Sequence, residues 1–145
     1  MVSLASIRHA PLVRTDFTHP DEWARLSQAA TNPTPKGYQA SLVIVDDVDN
    51  DGAQWRDIIA VLRRLPVAFI ADVTAMTEPG FPVLVIDSWQ EPPREPFRCT
   101  AAELVSVENN LSIFNMDWED FAGCVESDGV FRGSFTPTPL TRDGS

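Results

Sequence analysis

Apolar residues recur along this chain with two periods, and the way these periods alternate predicts an α/β fold. From Leu104 through Val107, Leu111, Phe114, Trp118, Phe121 and Val125 the spacing is three or four residues, which puts these side chains on one helical stripe. Asn109 and Asn110 interrupt it, because short amides compete with helical backbone bonding, so the stripe is expected as a helix pair with its first member ending near them. Thr100 and Glu103 have capping-box spacing at its start, Asn115 or Asp117 can cap its second helix, and Ser127-Asp128-Gly129 marks the exit.

Shorter elements alternate in the first half. Leu12 to Phe17 reads as a strand, after which Thr18 caps a helix opened by Pro20, Asp21 and Glu22, with Trp23, Leu26 and Ala30 on one face. Beyond the loop Asn32 to Gly37, the nearly continuous apolar run Ala40 to Val45 predicts a strand covered on both faces, at the centre of the sheet. Asp51 and Gln54 have the spacing of a helix start, and Trp55, Ile58, Ile59, Leu62 and Leu65 follow on one side. Pro66 then stops the helix, and Val67 to Ala71 forms the next buried strand. Strand-helix-strand-helix-strand order gives parallel strands with right-handed crossovers.

The second half departs from that order. Val73 to Gly80 is too short for a parallel crossover, so Pro82 to Ser88 is expected to run antiparallel. The turn-rich stretch Gln90 to Pro96 then leads to a hairpin partner at Phe97 to Cys99. Val130 and Phe131 dock back onto the core. The predicted architecture is a single α/β domain over residues 1–135, a mixed sheet of about five strands with the first three parallel and the C-terminal helix pair packed on it. Residues 136–145, rich in Thr and Pro and without apolar periodicity, are expected to form a mobile tail.

Charge narrows the partners. Acidic residues outnumber basic ones 21 to 11, and the formal net charge of -10 repels phosphate backbones, so a basic partner is expected and nucleic acid is not. No apolar run approaches the ~20 residues of a bilayer-spanning helix and the N-terminus lacks a signal-peptide core, which predicts a cytoplasmic protein without membrane contact. Cys99 and Cys124 have neither zinc-site spacing nor the density of a disulfide scaffold and read as reduced thiols. Without a nucleophile elbow, a phosphate-binding Gly loop, paired CxxC or HExxH, no cofactor is expected.

Candidate chemistry gathers in the acids. With three parallel strands, Asp16, Asp46, Asp47 and Asp72 fall at carboxyl ends, where open α/β sheets place ligands. An enzyme would use Asp16, Asp46 and Asp72 for acid–base work, with Arg14 orienting a polar or anionic substrate. A binding module would present Asp46, Asp47, Asp49 and Asp51, with Trp89 beside the Pro-rich turn as an aromatic contact. Asp47, Asp49 and Asp51 also begin calcium-loop spacing with Gly52 in the turn position. Ile58 stands where that loop needs its bidentate Glu, so no metal is expected. His9 and His19 read as surface or capping residues, and Trp23, Trp55 and Trp118 as core anchors.

The segments Leu12-Val13-Arg14-Thr15-Asp16-Phe17, Pro82-Val83-Leu84-Val85-Ile86-Asp87, Glu108-Asn109-Asn110-Leu111-Ser112-Ile113, Asn115-Met116-Asp117 and Asp128-Gly129-Val130-Phe131-Arg132-Gly133 together resemble a family of small uncharacterised bacterial proteins. The resemblance runs from Leu12 to Gly133 and implies a stand-alone α/β domain of unknown function, with no catalytic residue to carry over. Charge and the missing catalytic motifs favour an acidic, non-catalytic interaction module, immunity- or inhibitor-like toward a basic partner protein. The alternative is a small enzyme without an organic cofactor, working through the strand-edge carboxylates.

Overall fold

Six strands form one mixed sheet in the computed structural model, which describes residues 3–135. β1 (Pro11–Arg14) lies between β2 (Val43–Val45) and β3 (Ala68–Ala71), parallel to both. β4 (Val83–Ile86) pairs antiparallel with β3, β5 (Phe97–Cys99) antiparallel with β4, and β6 (Val130–Phe131) parallel with β5. The expected mixed α/β sheet with its first three strands parallel is therefore present. The docking pair Val130 and Phe131 supplies the sixth strand, and the tail expected at 136–145 lies outside the described residues.

Around the sheet pack α1 (Pro20–Thr31), α2 (Trp55–Val61), α3 (Val73–Thr77), α4 (Leu104–Ser112) and α5 (Trp118–Ala122), with short 3-10 turns at Leu4–Ser6, Val48–Asn50 and Ala101–Glu103. Among the described residues no helix is long and apolar enough to cross a membrane.

Several local expectations are corrected. The run Ala40 to Val45 yields not the centre but the edge strand β2. Val43 and Val45 pack inward while Ile44 is 40% exposed, and an apolar run alone does not say whether its second face is covered. The strands buried at every position are β1, β3 and the two-residue β6. Asp51 does not start α2. The box is Gln54 with Asp57, whose Oδ2 accepts from the Gln54 amide at 3.2 Å, because the turn at Val48–Asn50 occupies the chain upstream. Val73 to Gly80 leads, as expected, to an antiparallel strand, and Asp72 Oδ1 accepts from the Ala75 amide at 3.0 Å and caps the short α3 within it. Thr100 makes no capping bond. α4 runs past Asn110 to Ser112, and Phe114 then takes a φ of +56° and leaves the stripe, 61% exposed.

Side-chain alternation divides the core between the sheet's faces. Leu12, Phe69, Val85 and Phe97 point to the side covered by α1, α3, α4 and α5, where Trp23, Leu26, Trp118 and Phe121 meet them. Val13, Ile70 and Ile86 point to the other side, whose only helical cover among the described residues is α2 and the Leu4–Ser6 turn. That cover lies over β2, β1 and β3. Leu84 of β4 and Arg98 of β5, partners in register, are thus left partly open.

The turn joining α3 to β4 depends on a glycine. Gly80 has a φ of +82°, its carbonyl accepts from the Ala101 amide at 3.0 Å, and a Cβ there would meet Thr100 Cγ2 at 3.1 Å. Gly80→Ala is expected to cost roughly 1–2 kcal/mol, read as a lower urea midpoint at constant slope. An unchanged midpoint would show that the turn adapts.

Candidate functional site

The carboxyl ends of β1 and β3 open into a cleft of about 620 Å³ on the half-covered face of the sheet. Two backbone bonds shape it. The Thr15 amide donates to the Ala71 carbonyl at 3.0 Å and prolongs the β1–β3 pairing, and the Gly52 amide donates to the Thr15 carbonyl at 2.9 Å, fastening the loop before α2 against β1. The floor is Thr15, Ile70, Asp72, Leu84 and Arg98, and the rim is Asp51 to Trp55 on one side and Glu95 and Pro96 on the other.

The expected acid–base set is split by the sheet. Arg14, whose neighbour Leu12 faces the α1 side, turns that way too: its Nη1 donates to Asp46 Oδ1 at 3.1 Å, its Nε to the Asp16 carbonyl at 3.0 Å, and its guanidinium lies 4.3 Å from the Phe17 ring centroid. Trp23 Nε1 donates to the other Asp46 oxygen at 3.2 Å. Arg14 and Asp46 thus form a packed knot against α1, away from the cleft lining. Asp72 continues the alternation of Ile70 into the cleft, where Arg98 clamps it with bonds of 2.9 and 2.7 Å.

Asp16 touches the cleft but is engaged at the start of α1. Its Oδ1 accepts from the Thr18 hydroxyl at 2.7 Å, and its Oδ2 lies 2.6 Å from His19 Nδ1. Burial pushes its pKa up, but the Thr18 and His19 hydrogen bonds outweigh it and hold the carboxyl below the usual carboxylate range. An acid so held stays ionised near neutrality and is poorly suited to donate a proton. Thr18 therefore serves Asp16 rather than capping α1, whose N-cap position is His19 without a side-chain capping bond.

Asp47, Asp49 and Asp51 follow β2 on the surface beside the cleft rim. Asp47 Oδ1 accepts from the Asp49 amide at 3.0 Å, which fixes the turn. Among the described residues no group of three or more His, Cys, Asp or Glu is placed to hold a metal ion. Trp89 is at the opposite end of the sheet, since β4 runs antiparallel to β3 and carries the chain away from Asp72. It is half-buried between the Arg64 guanidinium, 4.0 Å from its ring, and Phe114, 5.2 Å centroid to centroid. It therefore shares no surface with the acids. Both cysteines are free, and burial pushes the Cys99 thiol pKa far up, which leaves it inert.

Arg98, Thr15, Glu95 and Trp55 are cleft residues that the acids did not announce. One signal was available for Arg98: between buried Phe97 and Cys99, strand alternation must send it to the opposite face.

The chain matches a family described as Domain of unknown function (DUF6924) over residues 9–134. No curated protein matches it.

Proposed function

The chain belongs to the DUF6924 family, a domain of unknown function, and from that premise we propose that it is a non-catalytic, acidic interaction module that binds a basic protein in the cytoplasm of a bacterial cell. The observation that carries this reading is how the acids are partnered. Asp16, Asp46 and Asp72 are each engaged by His19, Arg14 or Arg98, whereas Asp47, Asp49 and Asp51 form no ion pair among the described residues. These three sit on one short, turn-fixed loop in a chain of net charge -10, an arrangement that steers a cationic surface. The alternative of acid–base catalysis by Asp16, Asp46 and Asp72 with Arg14 is less well supported, because the sheet separates Arg14 and Asp46 from Asp72 and each carboxylate is already paired.

The test is affinity capture from the native host with the wild-type chain and with the Asp47→Asn/Asp49→Asn/Asp51→Asn variant. The expected result is a basic partner whose affinity falls at least about tenfold in the variant and depends less on salt, while unfolding free energy stays within about 0.5 kcal/mol. Recovery of no basic partner, or an affinity that ignores all three acids, would sink the proposal.

A further inference from the structure

We propose that the cleft beside these acids is a binding site for an alkyl guanidinium or ammonium group, the arginine or lysine side chain of the basic partner. This assignment rests on the interaction reading and gives it a defined pocket.

Thr15 supplies the first reason. It is only 5% exposed and its backbone amide and carbonyl are both bonded, yet among the described residues its hydroxyl has no hydrogen-bond partner. That oxygen is not one of the fully enclosed unsatisfied atoms, since none exists among the described residues, and Thr15 lines the cleft. Its hydroxyl therefore opens into the cavity. A polar group on a nearly buried floor favours a ligand that can bond to it.

Charge selects the ligand's sign. The lining carries four carboxylates, Asp16, Asp51, Asp72 and Glu95, against the single guanidinium of Arg98. An anion would have to displace Asp72 from its two-point bond to Arg98. Asp51 and Glu95, by contrast, have no ion pair among the described residues and are free to receive a cation at the rim. The apolar lining selects the rest of the molecule. Ile70, Leu84, Val73 and Trp55 offer contact to an alkyl stem. A volume of about 620 Å³ is ample for such a side chain.

The probe is N-acetyl-arginine methylamide, titrated into the ¹⁵N-labelled full chain, with the citrulline analogue as its neutral isostere. Saturable shifts are expected at the Thr15 and Gly52 amides and the Trp55 indole, with a Kd on the order of millimolar, and none with citrulline. Thr15→Val and, separately, Asp51→Asn/Glu95→Gln should each weaken binding at least about threefold. No saturable shift, equal shifts with citrulline, or shifts confined to other surfaces would overturn the assignment. The same variants distinguish the two readings. If a captured partner binds Thr15→Val and Asp51→Asn/Glu95→Gln with wild-type affinity, the interaction reading stands and the cleft assignment falls. If the arginine probe binds as expected but no basic partner exists, the cleft takes a free amine and the interaction reading falls.

Discussion

Phe69→Ala is expected to lower the unfolding free energy by roughly 3–5 kcal/mol. Phe69 is fully buried in β3, with Leu12 beside it on the parallel strand and Val85 on the antiparallel one. Its ring points into the cluster where α1, α3, α4 and α5 meet the sheet, so truncation opens a cavity flanked by strand backbone on both sides. Backbone held by ladders cannot close over such a void, and the cavity cost therefore adds in full to the lost transfer energy. Against a total of about 5–15 kcal/mol for a domain of this size, the variant would be marginal. Phe69→Leu keeps most of the volume and should cost about 1.5 kcal/mol or less. Urea unfolding followed by tryptophan fluorescence reads both, and a loss under about 1.5 kcal/mol for the alanine variant would mean that the core is looser than its burial indicates.

The same core explains why the fold class was legible from residue order. Its strands are short apolar runs and its helices carry stripes such as Trp23, Leu26 and Ala30, and burial of those faces leaves few arrangements open. What the pattern could not report was how far each face is covered. Ala40 to Val45 is as apolar as a central strand, yet β2 has a neighbour on one side only. Nor does a stripe report where its phase breaks: Phe114 keeps the spacing of Leu111 and Trp118 but leaves the core, because its positive φ rotates it onto Trp89.

The candidate site was legible in its position and not in its composition. Acids after parallel strands pointed to the carboxyl edge of the sheet, and a cleft lies there. Which acids remain available is a property of cross-strand register. Arg98 finds Asp72 because β5 pairs with β4 and β4 with β3, a relation between residues far apart in the chain. Thr15 looks like an ordinary strand residue until the open face of β4 and β5, uncovered among the described residues, turns its side of the sheet into a floor.

Asp87→Asn is expected to cost roughly 3 kcal/mol at neutral pH, although Asn matches Asp in shape. Asp87 is fully buried, and its two oxygens accept four bonds: from the amides of Trp89 at 2.8 Å and Gln90 at 3.2 Å on Oδ1, and from the Arg94 amide at 3.1 Å and Arg94 Nε at 2.9 Å on Oδ2. Every partner is a donor, so either orientation of an asparagine amide faces its NH₂ toward two of them and leaves them unpaired. Arg94 keeps some compensation, being partly exposed and within 3.7 Å of Glu119, which holds the cost below that of stranding a wholly buried cation. The effect must also depend on pH. Burial raises the pKa of Asp87, but the Arg94 side-chain bond and the three backbone amides outweigh it and hold the folded carboxyl below the usual range. A carboxyl depressed on folding contributes stability that is fully present above its unfolded pKa, about 3.9, and lost as pH falls through the lower folded value. Asn does not titrate, so the stability gap between the two chains should be constant from pH 7 down to about 4 and shrink below that. Urea denaturation of both proteins at several pH values tests this. A gap that stays flat under acid would show that the turn from Trp89 to Arg94 is held by packing rather than by the ionised carboxylate.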